Sequence, residues 1–245
     1  MKKMMMKKLT LSLLCLLPFC VSLASAAETA EKKTHLFVLS GQSNMAGLNP
    51  GVSFTPAVES AFGKENVIVV KKAQSGAPIR GWYKGYKYPD NREIKDRSKI
   101  GHLYDALITA VKAATAGKSY DTVTFVWMQG ERDAKEQLAE VYADSFKGVI
   151  AQLQKDLKRE RINFVIGRVS DFDMQNKKYK HWTKIREIQV KLAEEAAHGA
   201  WVDTDDMNNK KGQQGVGGGL HYNKEGYKSL GQAFADKAIA LLKEK

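Results

Sequence analysis

A serine beside glycine follows the first apolar run of the chain. The run Leu36–Leu39 leads into the segment LSGQSNMAG at positions 39–47, which contains Ser43. A serine at the end of a buried strand can be presented above the sheet as a nucleophile, and backbone N–H groups of the turn can face the charge that develops on an acyl substrate. The segment alone would also suit an ordinary polar loop, so Ser43 needs a proton acceptor elsewhere before it predicts catalysis.

His221 is the candidate acceptor. It lies in the glycine-rich segment GLHYNKEGY at 219–227, directly before the last predicted helix. A neutral imidazole can take the proton of a serine hydroxyl and later return it to a leaving alcohol. The other histidines are expected at the edges of elements or on helix faces; they are His35, His102, His181 and His198.

Two more predicted strand ends carry residues suited to an acyl-transfer site. The segment QSGAPI at 74–79 contains Gly76, whose backbone N–H can approach a ligand closely because glycine has no side chain. The segment WMQGERD at 127–133 contains Gln129, whose amide can donate to an oxyanion, and Glu131, whose carboxylate can hold a catalytic group. Each also has a plain structural explanation, as a turn glycine or as polar residues that cap a helix beginning near Ala134.

An alternation of short apolar runs with amphipathic segments must position these residues. The apolar runs are β-branched or aromatic, as expected for buried parallel strands; they are Leu36–Leu39, Val67–Val70, Val123–Trp127, Phe164–Val169 and Ala200–Val202. The predicted helices are Leu103–Thr115, Ala134–Leu157, Trp182–Ala197 and Glu225–Leu242. This order predicts an α/β fold, a three-layer α/β/α sandwich with a five-stranded parallel sheet, in which ligands bind beyond the carboxyl ends of the strands.

Two long connections are candidate binding loops. Residues 82–100 carry aromatic rings that could stack on sugars, together with cationic side chains; they are Trp82, Tyr83, Tyr86, Tyr88, Arg92 and Arg97. Residues 205–219 are rich in Asn, Lys, Gln and Gly and lead into His221.

The segments GQSNMAG, SGAPI, WMQGERDA and GLHYNKEGY, in this order, resemble the sialate O-acetylesterase-like branch of the SGNH hydrolases, which also contains acetylxylan esterases. The resemblance extends over His35–Ala235 and implies a flavodoxin-like SGNH fold. It implies Ser43 as the nucleophile and His221 as the general base. It further implies an oxyanion hole formed by the N–H groups of Ser43 and Gly76 and an amide near Gln129. The implied substrate is an acetylated carbohydrate, and neither a metal nor another cofactor is implied.

The chain departs from this family at one position. The family usually carries an aspartate three residues before the histidine, where this chain has Gly218. The acid that orients His221 is then absent or comes from elsewhere, and the candidates are Glu131, Asp171 and Asp205, with Glu131 preferred. A Ser–His dyad supported by water is the remaining alternative.

Residues 1–26 are predicted to be a secretory signal peptide, followed by one domain at 27–245. Four lysines precede an apolar run at 9–23, and Ala24-Ser25-Ala26 supplies small residues before a cut after Ala26. A run of this length favours a cleaved signal over a membrane-spanning helix, which needs about 20 apolar residues. The prediction is a secreted or periplasmic protein with no stable membrane anchor after cleavage.

Removal of this segment changes the composition. Both cysteines lie within it, so the mature chain has neither a disulfide nor a thiolate metal site. The net charge falls from +12 to +8, because the segment carries four lysines and no acid. The remaining lysines are spread along the sequence and no nucleic-acid motif is present, so the charge predicts a solvated surface, with an anionic polysaccharide as the alternative partner.

These features predict a serine esterase that removes O-acetyl groups from a carbohydrate through an acetyl-enzyme. The first rival is a carbohydrate-binding protein that kept the fold after losing the loop acid. A lipid esterase is disfavoured, because no long apolar lid is present and residues 82–100 are aromatic and cationic.

Overall fold

Five short strands with buried side chains form an all-parallel sheet. The computed structural model of the chain describes residues 33–90, 93–94, 96–208 and 219–243. Within these ranges the strands are β1 (His35–Gly41), β2 (Val67–Ala73), β3 (Thr122–Met128), β4 (Asn163–Gly167) and β5 (Gly199–Val202). Their order across the sheet is β2-β1-β3-β4-β5, and every neighbouring pair is parallel. The predicted five-stranded parallel sheet is confirmed.

Seven α-helices connect and flank the strands in the described part of the chain. They are α1 (Ser43–Gly47), α2 (Phe54–Phe62), α3 (His102–Ala114), α4 (Glu131–Lys135), α5 (Tyr142–Leu157), α6 (Trp182–Glu194) and α7 (Lys224–Lys243). Short 3₁₀ helices lie at Pro50–Val52, Lys64–Asn66, Ile79–Gly81, Arg97–Lys99, Ala139–Val141 and Asp171–Asp173.

The side chains of each central strand alternate between two hydrophobic cores. In β1, Leu36 and Val38 pack into the core under α3, α5 and α6, whereas Phe37 and Leu39 pack into the core under α2 and α7. All four are fully buried, as expected for a strand with helices on both faces. The three-layer α/β/α sandwich predicted from the sequence is therefore confirmed.

The predicted helix Ala134–Leu157 is wrong in its extent. The structure divides it into α4, a 3₁₀ turn and α5. The helix is interrupted because Gln137 has a left-handed backbone with φ 61° and the N–H of Leu138 donates to the carbonyl of Asp133. The sequence analysis also missed α1 and α2, which are too short for helical periodicity to stand out.

Two of the four aromatic residues of the 82–100 connection are buried in the core. Trp82 is 1% exposed and Tyr86 3% exposed, and both belong to the core under α3, α5 and α6. The Trp82 indole N–H donates to the Ser40 hydroxyl at 2.9 Å, and the ring packs edge-on against Trp127. These two side chains anchor the connection, so the expectation of sugar stacking is wrong for Trp82 and Tyr86.

The predicted signal peptide, Arg92 and Gly218 lie outside the described residues. Among the helices of the described ranges, none combines the length and apolar character needed to cross a membrane.

Candidate active site

The turn between β1 and α1 brings Ser43 to the carboxyl edge of the sheet. Gly41 has φ +144°, and a Cβ on it would overlap the carbonyl of Met128 at the end of β3. The N–H of Gln42 donates to the same carbonyl at 2.9 Å. Only glycine allows the two strand ends to approach this closely, and Ser43 follows two residues later as the first residue of α1.

Lys71 holds the other end of this short helix. Its ammonium donates to the carbonyl oxygens of Met45, Ala46 and Leu48 at 3.4, 3.0 and 2.6 Å. These are carbonyls that a helix terminus leaves without intrahelical partners. Burial lowers the pKa of Lys71 below its ordinary value. The helix that begins with Ser43 is thus fixed to β2 as well as to β3.

Ser43 and His221 meet although they are 178 positions apart in the chain. The distance from His221 Nε2 to Ser43 Oγ is 2.9 Å, which is within hydrogen-bonding range. Both side chains line a cavity of about 600 Å³, together with Gly76 and Glu131. A hydroxyl and an imidazole in this contact can exchange a proton during nucleophilic attack.

Gly76 lies on the same cavity with its backbone turned into an unusual conformation. Its φ is +69°, and a Cβ built on it would meet nothing within 4 Å. The glycine is therefore favoured by its left-handed backbone rather than by lack of space. In the part of the chain that the structure describes, no acceptor pairs with its N–H. That N–H can donate to a ligand in the cavity.

Gln129 does not line the cavity, and its predicted role as an oxyanion donor does not fit the structure. The side chain is fully buried. Its Nε2 donates to Gln42 Oε1 at 3.1 Å, to the carbonyl of Ala77 at 3.2 Å and to Asp133 Oδ2 at 2.5 Å. With its donors engaged in this way, the amide instead connects the turn before Ser43 to the loop that carries Gly76.

Asp133 completes this buried network. Its Oδ2 also accepts from the N–H of Ile79 at 2.9 Å, three residues after Gly76. Burial raises the pKa of Asp133 from 3.8 to about 7, against the lowering effects of its hydrogen bonds with Gln129 and Ile79 and of the charge on Arg80. The carboxyl was read from the sequence only as a helix cap, and its burial beneath the site was missed.

Glu131 lines the cavity but does not hydrogen bond to His221. It is 2% exposed, and its Oε1 accepts from the Asn44 side-chain amide at 2.8 Å. Its Oε2 has no hydrogen-bond partner among the described residues. Burial raises the pKa of the Glu131 carboxyl, although the Asn44 hydrogen bond opposes this. The direct contact with His221 that an orienting acid requires is absent from the described structure.

The two other candidate acids are held elsewhere. Asp205 forms ion pairs with Arg186 and Arg168, each with a separation of 2.8 Å. Asp171 accepts from the Asn208 amide at 3.1 Å. Neither carboxylate bonds to His221 in the described ranges, and residues 209–218 contain no Asp or Glu in their sequence.

Basic side chains form one wall of the cavity. Arg132 and Lys135, both exposed residues of α4, line it beside Tyr179, and the Lys135 ammonium lies 5.9 Å from the centre of the Tyr179 ring. Glu136 carries a nearby negative charge, but it is shared between Arg80 and Arg132, each at 2.6 Å. The wall therefore keeps a net positive charge. Among the described residues, no group of three or more His, Cys, Asp or Glu side chains could hold a metal ion.

A family model for carbohydrate esterases of the sialic acid-specific acetylesterase type matches residues 46–240. A sequence comparison with curated proteins finds no match.

Solved structures with a similar fold include a protein from Arabidopsis thaliana, with 19% identity, a TM-score of 0.63, and coverage of 86% of this chain and 99% of that one. A carbohydrate acetylesterase from Xanthomonas citri has 14% identity and a TM-score of 0.61, covering 84% of this chain but 56% of its own length. A member of the lipolytic G-D-S-L family from Veillonella parvula has 15% identity and a TM-score of 0.51, covering 86% of this chain and 100% of that one. At these identities the structures are evidence for a shared fold.

Proposed function

Because the chain belongs to the sialic acid-specific acetylesterase family of carbohydrate esterases, and is thus a carboxylic ester hydrolase, we propose that it removes O-acetyl groups from a carbohydrate by way of an acetyl-enzyme on Ser43. The observation that carries this proposal is the 2.9 Å contact between Ser43 Oγ and His221 Nε2. This contact lies in a cavity at the carboxyl edge of the parallel sheet, where folds of this kind bind their ligands.

In the proposed reaction Ser43 Oγ attacks the acetyl carbonyl carbon and gives its proton to His221 Nε2. The N–H groups of Ser43 and Gly76 donate to the oxyanion of the tetrahedral intermediate. Collapse of the intermediate breaks the bond to the sugar oxygen, and His221 returns the proton to that oxygen. Water, deprotonated by His221, then attacks the acetyl-enzyme. Collapse of this second intermediate breaks the bond between the acyl carbon and Ser43 Oγ, His221 returns the proton to Ser43 Oγ, and acetate leaves.

The experiment that tests this proposal is acetate release from a panel of acetylated glycans by the wild type and by Ser43→Ala. Removal of the nucleophile is expected to lower kcat by about 10⁴-fold or more while the protein remains folded. A serine-directed organophosphonate is expected to label Ser43. If Ser43→Ala keeps more than a few per cent of wild-type kcat, Ser43 is not the nucleophile.

The cavity wall favours an anionic sugar as the acetyl carrier. Arg132 and Lys135 line the cavity together with the proposed nucleophile. The two acids that flank Arg132 in sequence, Glu131 and Asp133, are buried with raised pKa values, and Glu136, which follows Lys135, is paired with Arg80 and Arg132. A carboxylate on the sugar would therefore meet an attractive potential at the cavity. An acetylated acidic glycan, of the sialic acid or uronic acid type, is the substrate class that this arrangement supports best.

The proposed site of action is outside the cytoplasm. The basic, apolar and small-residue pattern of residues 1–26 supports export with cleavage after Ala26. N-terminal sequencing of exported protein is expected to begin at Ala27. Recovery of a mature chain that still carries residues 9–23 would instead indicate a membrane anchor.

The rival function, a catalytically weakened carbohydrate-binding protein, has one observation in its favour. In the described ranges, no acid forms a hydrogen bond or an ion pair with His221, whose partner is Ser43. Steady acetate release over many turnovers would exclude this rival. Binding of acetylated glycan without turnover, and without labelling of Ser43 by the organophosphonate, would establish it instead.

A further inference from the structure

The missing aspartate leaves open how His221 is held against Ser43. We infer that Asn44, itself oriented by Glu131, fixes the backbone before His221 and so takes over the positioning task of the absent acid. This inference rests on the proposed function, because it concerns the same serine and histidine.

The Asn44 side chain joins the nucleophile to the histidine loop. Asn44 is 2% exposed and directly follows Ser43 in the chain. Its Nδ2 donates to Glu131 Oε1 at 2.8 Å and to the carbonyl of Leu220 at 3.0 Å. Leu220 directly precedes His221, so one amide connects the residue after the nucleophile to the residue before the base.

Asn208 supplies a second anchor on the same stretch of backbone. The N–H of Gly219 donates to the Asn208 carbonyl, and the Asn208 side-chain amide donates to the Gly219 carbonyl, both at 3.1 Å. Gly219 and Leu220 are thus held from two sides directly before His221. These bonds fix the backbone from which the His221 side chain extends. Rotation about the side-chain torsions of His221 is then the main remaining freedom of the imidazole.

Glu131 determines which way the Asn44 amide points. An asparagine side chain can turn over and exchange its oxygen and nitrogen, and only its neighbours select one orientation. Here the nitrogen faces two acceptors, Glu131 Oε1 and the Leu220 carbonyl, while the oxygen accepts from the Tyr227 hydroxyl at 3.3 Å. The reversed amide would place its oxygen against both acceptors. Glu131 therefore acts through Asn44, as a hydrogen-bond acceptor rather than as a charge on the imidazole.

The two possible roles of Glu131, as the acid that orients His221 or as the hydrogen-bond acceptor for Asn44, require different chemical properties of its side chain. An acid stabilises the imidazolium through its negative charge, so a neutral amide in its place would lose the effect. An acceptor for Asn44 needs only an oxygen, and a glutamine at 131 can supply one. Glu131→Gln and Glu131→Leu have similar volumes, but only the former keeps that oxygen.

The test compares steady-state kinetics of Asn44→Asp, Glu131→Gln and Glu131→Leu on a small acetyl ester and on an acetylated glycan. Asn44→Asp keeps the shape of the side chain but loses both donors, and it is expected to lower kcat by about 100-fold with KM within about threefold, as for misplacement of a catalytic group. Glu131→Leu is expected to lower kcat at least about tenfold, and Glu131→Gln to recover most of that loss.

Asn66→Asp is the matched control for a buried Asn-to-Asp change. The Asn66 amide also donates to a backbone carbonyl and to a glutamate, those of Phe62 at 2.9 Å and Glu65 at 3.3 Å, but it does not line the cavity. It is expected to lower stability without changing kcat. If Asn44→Asp fails to fold, the comparison of the two Glu131 variants still decides between the two roles.

Two results would overturn the inference. One is a kcat of Asn44→Asp close to that of the wild type. The other is a loss of at least about tenfold in Glu131→Gln, with the acidic limb of the pH–rate profile moved to lower pH, since removal of a carboxylate facing the imidazolium makes the imidazolium easier to deprotonate.

The rate at which an organophosphonate labels Ser43 separates this inference from the proposed function. If wild-type Ser43 is not labelled, the proposed function fails. If the wild type is labelled and Asn44→Asp is labelled at the same rate, only the positioning role fails. The expected result is labelling of the wild type and labelling of Asn44→Asp slowed in proportion to its kcat.

Discussion

At the scale of single residues, the buried carboxyl of Asp133 ties the two halves of the proposed oxyanion hole together. It accepts from Gln129, which also bonds to Gln42 beside Ser43, and from Ile79 on the loop of Gly76. A carboxyl without a cationic partner is costly to bury in its ionised form, and this cost is reflected in its raised pKa of about 7. The free energy of unfolding should therefore depend on pH through this carboxyl.

Asp133→Asn is expected to make the free energy of unfolding less dependent on pH. Between pH 3.8 and about 7 the folded carboxyl holds a proton that the unfolded one releases, so the free energy of unfolding falls as pH rises through that window. Asparagine keeps an oxygen for Gln129 and Ile79 but does not titrate. Urea midpoints measured at pH 5 and pH 8 should differ less in Asp133→Asn than in the wild type.

The matched control is Asp236→Asn, an exposed residue in the middle of α7. This variant should keep the wild-type difference between the two pH values. An equal slope in Asp133→Asn and the wild type would mean that the buried carboxyl does not titrate in this window.

At the residue level, motifs identified side chains that the fold brings together, whereas contacts that depend on side-chain orientation could not be predicted from the sequence. Ser43 and His221 were found from their motifs, and the fold brings them into contact. Gln129 was predicted to donate to the oxyanion, but the direction of its amide depends on buried partners that the sequence does not identify, and these hold it away from the cavity. Asn44 stands in the same motif as Ser43, yet its partner Leu220 is 176 positions away, so its contact could not be anticipated.

At the scale of elements, the site forms where the strand order reverses. β2 lies on one side of β1 and β3 on the other, and their registers pair Gly41 with Ala73 and with Met128. The carboxyl ends of these strands are therefore level, and the loops after them converge on one cavity. The strands could be predicted because their apolar runs are nearly continuous. The break between α4 and α5 could not, because it depends on the left-handed backbone of Gln137 rather than on a Gly or Pro signal.

The loop after β2 offers a test of the proposed oxyanion hole. Gly76→Ala forces a Cβ onto a backbone with φ +69° beside the cavity, and relaxation of that strain would turn the N–H away from the oxyanion. The expected result is a loss of kcat of at least about tenfold, approaching the 10²–10³-fold effect of removing one oxyanion donor. The measurement is kcat on a small acetyl ester, together with the urea midpoint.

Gly117→Ala controls for the backbone strain alone. Gly117 has φ +70° and, like Gly76, has nothing within 4 Å of a built Cβ, but it does not line the cavity. Both variants should lose about 1–2 kcal/mol of stability, and only Gly76→Ala should lose kcat. Equal kcat values in the two variants would remove Gly76 from the oxyanion hole.

At the scale of the whole molecule, the protein has a positive net charge, and part of that charge lies at the cavity. The net charge is +12 for the full sequence, and Arg132 and Lys135, which are part of this total, line the same cavity as the proposed nucleophile. The sequence analysis assigned the charge mainly to solvated surface, since the lysines are spread along the chain. Only the fold brings the cations of α4 to the cavity that Ser43 lines, because α4 begins just after β3 ends.

The last prediction concerns how this local charge selects the substrate. An increase in salt from about 0.1 to about 1 M shortens the Debye length from ~10 to ~3 Å, which weakens attraction between exposed charges. We therefore expect kcat/KM for an acetylated acidic sugar to fall severalfold over this range, and kcat/KM for a neutral acetyl ester to change little. Lys135→Gln should lower the ratio of acidic to neutral kcat/KM at low salt and weaken its salt dependence. Lys112→Gln, which makes the same charge change on an exposed residue of α3 that does not line the cavity, should leave the ratio unchanged. A ratio that is independent of salt and equal in both variants would mean that the charge of the cavity wall does not select the substrate.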